Sequence, residues 1–132
     1  MIEKLTAVLT IMAALLLGAC GPRGPESTDM EMSVAQLSEL IEGGSPPLIL
    51  DVRSPGEYAR GHIPGAVNIP HDELVERLAE LPAEKSAEVV VYCQSGPRAW
   101  RAEQMLQEKG YSSVQDLSGQ WRAWQAAGLP GE

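Results

Sequence analysis

The residues best equipped for chemistry in this 132-residue chain form one short stretch, Cys93-Gln94-Ser95-Gly96-Pro97-Arg98. A cysteine becomes a strong nucleophile as the thiolate, which requires positive potential around the sulfur. Arg98 supplies a guanidinium that stays charged at any ordinary pH. Gly96 lets the intervening chain curl, and a curled loop turns successive backbone N–H groups inward as an anion-binding nest. A helix starting at the end of the loop adds its N-terminal dipole. All three features favour thiolate over thiol. The stretch therefore predicts a sulfur nucleophile that acts on an anionic substrate. A cysteine at a strand end more often serves as a small buried hydrophobe, and C-x4-R alone is a loose pattern. The context shifts the balance towards chemistry: a buried strand before it, Gly within, Arg at the end and a helix after.

That context is read from the flanking residues. Val89-Val90-Val91-Tyr92 is a continuous apolar run, the pattern of a strand buried on both faces of a parallel sheet. In open α/β sheets ligands sit beyond the carboxyl ends of the strands, where Cys93 lies. Arg98 to Lys109 reads as a helix with Ala99, Ala102, Met105 and Leu106 facing in and Gly110 as its stop. Upstream, Met30 to Met32 reads as a short first strand. Ser33-Val34-Ala35-Gln36 forms a capping box that opens a helix bearing Val34, Leu37, Leu40 and Ile41, ended by Gly43-Gly44-Ser45-Pro46-Pro47.

Leu48-Ile49-Leu50 is a second buried strand that leads into Asp51-Val52-Arg53. Ser54-Pro55-Gly56-Glu57 is another capping box, with Pro at the first helical position. Ala66 to Ile69 is a short strand. Asp72 to Leu81 is expected to be a helix with Leu74, Leu78 and Leu81 on one face, ended by Pro82. Val114 to Leu117 is a last strand, and a final helix carries Trp121 and Trp124. Strands alternating with helices predict an α/β fold of three α/β/α layers around a parallel sheet of about five strands.

Outside the loop, Asp51 and Arg53 read as a supporting ion pair at a strand end rather than as reacting groups. His62 is expected to tie its own loop through a ring hydrogen bond, and His71 to be exposed at a helix start. Trp121 and Trp124 suit core or rim packing, whereas Trp100 shares a face with polar Gln104 and Gln107 and is expected to be exposed near the loop mouth. His62 and His71 are the only histidines, and no Cys/His spacing suggests a metal site. No cofactor is expected. The net charge of −8 argues against nucleic acid as a partner.

Residues 1–29 differ in kind. Leu5 to Leu17 is an apolar run of 13 residues, too short to span a bilayer freely and suited to a signal-peptide core. It ends in Leu17-Gly18-Ala19-Cys20, which resembles the lipobox of bacterial lipoproteins. The resemblance implies cleavage before Cys20 and acylation of Cys20, with residues 1–19 removed and 20–29 left as a Gly/Pro-rich tether. The residues 30–132 would then form one domain, held at the cell envelope by a lipid anchor. Without Asp at Gly21, the Gram-negative sorting pattern favours the outer membrane, facing the periplasm.

The ordered motifs of the domain resemble the rhodanese-like family. They are Leu50-Asp51-Val52-Arg53, Glu57-Tyr58, Gly61-His62-Ile63-Pro64-Gly65-Ala66-Val67-Asn68-Ile69-Pro70 and Tyr92-Cys93-Gln94-Ser95-Gly96-Pro97-Arg98. The resemblance implies a sulfurtransferase in which Cys93 takes sulfane sulfur from thiosulfate or a persulfide donor. Cys93 would hold it as a persulfide, in a cradle that the resemblance assigns to Gln94, Ser95, Gly96 and Arg98, and pass it to cyanide or a thiol. Two positions depart from the pattern: Pro97 has no N–H to offer the loop, and Gly119-Gln120 stands where a Gly-Gly pair is common. A non-catalytic sulfur carrier that exchanges with a protein partner is the alternative. A cysteine-dependent phosphatase or arsenate reductase is less favoured, because the related phosphatases carry a longer C-x5-R loop. For the anchor, Cys20→Ala is expected to abolish incorporation of labelled palmitate into the protein in cells; equal labelling of both forms would contradict it.

Overall fold

The structure is a computed structural model that describes residues 31–132. The expected leader, Cys20 and the tether lie outside the described residues. The domain alternates strands and helices: β1 Glu31–Met32, α1 Val34–Glu42, β2 Leu48–Asp51, α2 Pro55–Ala59, β3 Val67–Asn68, β4 Val89–Tyr92, α3 Pro97–Glu108, β5 Val114–Leu117 and α4 Gln120–Ala126. All the strand pairings are parallel, in the order β1-β5-β4-β2-β3. β4 is flanked by β2 and β5, with Leu50 opposite Val91 and Val91 opposite Asp116. Its central place explains its sequence: with a layer on each face, every residue from Val89 to Tyr92 is buried.

Alternation along the strands divides the interior in two. Leu50, Val52, Val89, Val91 and Cys93 face α3, where Ala99, Ala102 and Leu106 close the packing. Ile49, Val90 and Tyr92 face the other way, against Leu37 of α1 and Trp121 and Trp124 of α4. The small Ala99 and Ala102 bring α3 close to β4, which sets the start of that helix directly behind Cys93. Both capping boxes form. Ser33 accepts from the Gln36 N–H while the Gln36 side chain accepts from the Ser33 N–H, and Ser54 and Glu57 do the same for α2.

The segment 72–81 departs from the expected helix. It runs as turns into a single 3-10 turn, Leu78–Glu80. The leucines still turn inward: Leu74 and Leu81 are buried and Leu78 packs on the same cluster. The reason is in the bonding. The Arg77 N–H is shared between the Glu73 and Leu74 carbonyls, and the next bonds, Glu80 to Arg77 and Leu81 to Leu78, span three residues. Arg77 also binds the Glu80 carboxylate three residues on, which suits the tighter turn. Pro70 and Pro82 bracket the segment, so no helix runs into it or out of it through these positions.

Candidate active site

Cys93 follows β4 directly, and its side chain is buried against α3. Gly96, at φ 129°, turns the chain so that its N–H donates to Cys93 Sγ at 3.0 Å. Few residues besides glycine adopt that φ. The Gly96 carbonyl then accepts the Trp100 N–H at 2.9 Å, which begins α3 with Pro97 in its first turn. Pro97 removes one N–H from the loop, yet at this position its fixed φ suits the helix and its missing donor breaks no helical bond. The loop thus aims a backbone N–H and the start of a 12-residue helix at one sulfur. Gln94 is half-buried beside it, and Ser95 is exposed on the rim.

Arg98 does not stand free over this loop. Its Nη1 and Nη2 donate to Glu57 Oε2 and Oε1 at 2.7 and 2.9 Å, a bidentate pair that joins α3 to α2 across 41 residues of sequence. Glu57 also accepts from the Ser54 N–H and hydroxyl. The Arg98 bond, above all, draws the Glu57 carboxyl down to about 2, against an opposing effect of burial. In return Glu57 holds Arg98 above its usual range, with the nearby Cys93 sulfur adding a smaller push in the same direction. Arg98 therefore lends charge to the site while its fork is already filled by a carboxylate.

Behind the loop lies a buried network. Asp51 and Arg53 are both almost wholly buried and paired, with Arg53 Nη2 at 2.7 Å from Asp51 Oδ2 and Nε at 3.1 Å from both oxygens. Arg53 Nη2 also donates to the Gly61 carbonyl at 2.7 Å, and its guanidinium lies 4.9 Å from the Trp121 ring centre. Asn68 ties the backbone of both residues to β3, donating to the Asp51 and Arg53 carbonyls. The Tyr92 phenol accepts the Ile63 N–H at 3.1 Å, and burial holds that phenol protonated. Asp51 and Arg53 fix the strand end and the Gly61 turn, and Arg53 also lines the depression beside Gln94. His62 ties its turn as expected, with Nδ1 at 2.9 Å from the Tyr58 carbonyl and its ring stacked on Tyr58. His71 is half-buried rather than open, because it lies beside α3 in a groove that exposed Trp100 also lines.

One residue was missed from the site by sequence reasoning. Gln120 is buried and stands at φ 62°. Its Oε1 accepts the Cys93 N–H at 2.8 Å, while Nε2 donates to Asp116 Oδ1 and to the Leu117 carbonyl at 2.7 and 2.8 Å. Gly119 before it, at φ 74°, makes the turn possible, since a Cβ there would stand 2.5 Å from that of Ala123. The glutamine therefore clamps the Cys93 backbone to β5. Its place beside Gly119, where a Gly-Gly pair is common, is the signal that could have found it.

The profile described as "Rhodanese-like domain" matches residues 33–127. The chain belongs to the rhodanese-like family. It is 37% identical over 100 residues to a sulfurtransferase of Allochromatium vinosum, an alignment covering 76% of this chain and 92% of that protein. It is 40% identical over 70 residues to the thiosulfate sulfurtransferase PspE of Escherichia coli, covering 53% of this chain and 67% of that one. Among solved structures, the rhodanese-like domain of an Anabaena protein superposes with a TM-score of 0.70 at 35% identity, covering 78% of each chain. These likenesses agree with the five-strand parallel sheet and its flanking helices, and they make sulfurtransferases the relatives of this rhodanese-like chain.

The Glu57–Arg98 pair sets a pH dependence. A carboxyl lowered from 4.5 to about 2 contributes stability that is complete above the unfolded value and is lost as pH falls through the folded one. Glu57→Gln is expected to lower stability at neutral pH by about 1 kcal/mol, a modest figure because the pair is partly solvated. The gap between the two proteins should close as pH falls from about 4.5 to about 2. Urea midpoints measured across that range check it, and a gap independent of pH would contradict the pairing.

Proposed function

We propose that this protein is a sulfurtransferase that carries sulfane sulfur on Cys93. The observation that carries the reading is the Gly96 N–H aimed at Cys93 Sγ at the mouth of a C-x4-R loop. The Cys93 thiolate attacks the outer sulfur of thiosulfate. A new S–S bond forms, the S–S bond of thiosulfate breaks, and sulfite leaves with the bonding pair. The acceptor, cyanide or a thiolate, then attacks the outer sulfur of the persulfide. The Cys93–sulfur bond breaks, the cysteine thiolate returns, and thiocyanate or a new persulfide departs.

The loop suits this chemistry in size and charge. Its short turn closes around a single sulfur, and Pro97 leaves it one donor poorer for a phosphoryl group, whose transition-state charge spreads over several oxygens. Gln94, Ser95, Gly96 and Arg98 surround the transferred sulfur in this reading: Gly96 through its N–H, Arg98 through its field, Gln94 and Ser95 at the rim. Gln120, Asp51 and Arg53 hold the loop in place without touching substrate. We also propose that Cys20 is acylated and tethers the domain to the cell envelope; the Gly18-Ala19-Cys20 end of the leader supports this.

The assay is thiocyanate release from thiosulfate and cyanide. The wild-type domain is expected to turn over many times per active site. Cys93→Ser is expected to lower the rate to background with the fold intact, because a hydroxyl is a poor sulfur carrier. Release limited to one equivalent per protein would favour a carrier over an enzyme, and activity surviving in Cys93→Ser would overturn the assignment of the nucleophile.

A further inference from the structure

Gln120 is the one non-glycine residue among those described that stands at positive φ, and it is buried. A side chain at φ 62° strains the backbone, and such a conformation persists only where the surroundings hold it. A glycine would take the same turn without strain. What a glycine lacks is the amide, and that amide is fully engaged. Nε2 donates to Asp116 Oδ1 and to the Leu117 carbonyl at 2.7 and 2.8 Å, and Oε1 accepts the Cys93 N–H at 2.8 Å. Asp116 and Leu117 offer acceptors here and Cys93 offers a donor, so a flipped amide would lose all three bonds.

The bond to Cys93 belongs to a wider contact between the first turn of α4 and the sulfur loop. The Trp121 N–H donates to the Cys93 carbonyl at 3.0 Å, and the Arg122 N–H to the Gln94 carbonyl at 3.4 Å. A trans peptide points its N–H opposite to its C=O. The Gln94 and Ser95 N–H groups, which share peptides with those two carbonyls, are thereby turned away from α4. Neither donates to another group among the described residues. In the peptide before them, the Tyr92 carbonyl accepts the Val52 N–H at 3.1 Å while the Cys93 N–H faces Gln120. Three consecutive peptides, from Tyr92 to Ser95, therefore take their orientation from outside the loop. Of the four bonds that set them, only the one from Gln120 comes from a side chain.

We propose that Gln120, oriented by Asp116, is a positioning residue for sulfur transfer. It registers the first turn of α4 against the loop, so that the Cys93 and Gln94 carbonyls are drawn back and the N–H groups beyond them face the sulfur. The inference rests on the sulfurtransferase reading and assigns to this residue one half of that reaction. In loading, negative charge leaves the Cys93 sulfur as its bond to the new sulfur forms. In release, the Cys93–sulfur bond breaks and the charge returns to Cys93. Donors fixed in advance lower a barrier where charge develops. Gln120 therefore serves the release of sulfur more than its capture.

The test measures the two half-reactions separately on the purified protein. Loading by thiosulfate is followed by intact mass, and release by thiocyanate formed when preloaded protein meets cyanide. Gln120→Gly keeps the turn and removes the amide. It is expected to slow release about tenfold and loading by less than about threefold. Gln120→Glu keeps an acceptor for the Cys93 N–H but sets it against a carboxylate and a carbonyl, and should also release slowly. Adding Asp116→Asn to Gln120→Glu restores a donor–acceptor pair with its direction reversed, and should recover release by about threefold. Hydrogen exchange reads the clamp without chemistry: the Cys93 amide should exchange about tenfold faster in Gln120→Gly, while Val90 and Val91 keep their wild-type protection. Unchanged release in Gln120→Gly, equal slowing of both half-reactions, equal Cys93 exchange in the two proteins, or a double variant no faster than Gln120→Glu would overturn the proposal and leave the sulfurtransferase reading intact. A wild type that never loads sulfur would remove that reading and this role with it.

Discussion

The site depends on the buried pair of Asp51 and Arg53. Two charges taken out of water are costly unless each is paired and its remaining hydrogen-bonding capacity is met. Here the requirement is met by three contacts from the Arg53 guanidinium and one from its backbone N–H to the carboxylate, one to the Gly61 carbonyl, and the faces of Trp121 and Tyr92. Each partner brings a different part of the chain: the end of β2, the turn after α2, the end of β4 and the start of α4. The loop that follows β4 is therefore anchored on a platform drawn from all four. Removing one member would leave the other charged and buried, so the pair is better understood as a constraint on geometry than as a source of net stability.

On that platform the charges of the site are sorted by commitment. Arg98 gives its fork to Glu57, and the nearby Cys93 sulfur adds a smaller interaction with its guanidinium. The direct contact to the sulfur comes from the Gly96 N–H. A backbone donor cannot swing away, whereas a long arginine could, so the arrangement trades adaptability for a fixed position around one atom. The Cys93 N–H is also fixed, by Gln120, so both the backbone and the sulfur of Cys93 are held.

Much of this was legible from the sequence. The apolar runs at Leu48–Leu50 and Val89–Tyr92, bounded by turn residues, read as buried strands and are strands, and the capping boxes at Ser33 and Ser54 marked helix starts correctly. The five-strand parallel sheet followed from the alternation of elements. The segment 72–81 was misread because leucine spacing reports which residues turn inward, and a series of turns can satisfy it as well as a helix. The Glu57–Arg98 pair joins residues on separate helices, so no local pattern could announce it. Gln120 was missed for a different reason: a glutamine at positive φ is rare, and its role appears only once α4 is folded against β4.

The central claim is that Cys93 becomes covalently loaded with a single sulfur atom. The most direct measurement is intact mass of the purified domain after incubation with thiosulfate and desalting. The account predicts a gain of one sulfur atom, lost again on addition of cyanide and absent in Cys93→Ser. A wild-type domain that never gains that mass, or a Cys93→Ser protein that gains it equally, would contradict it.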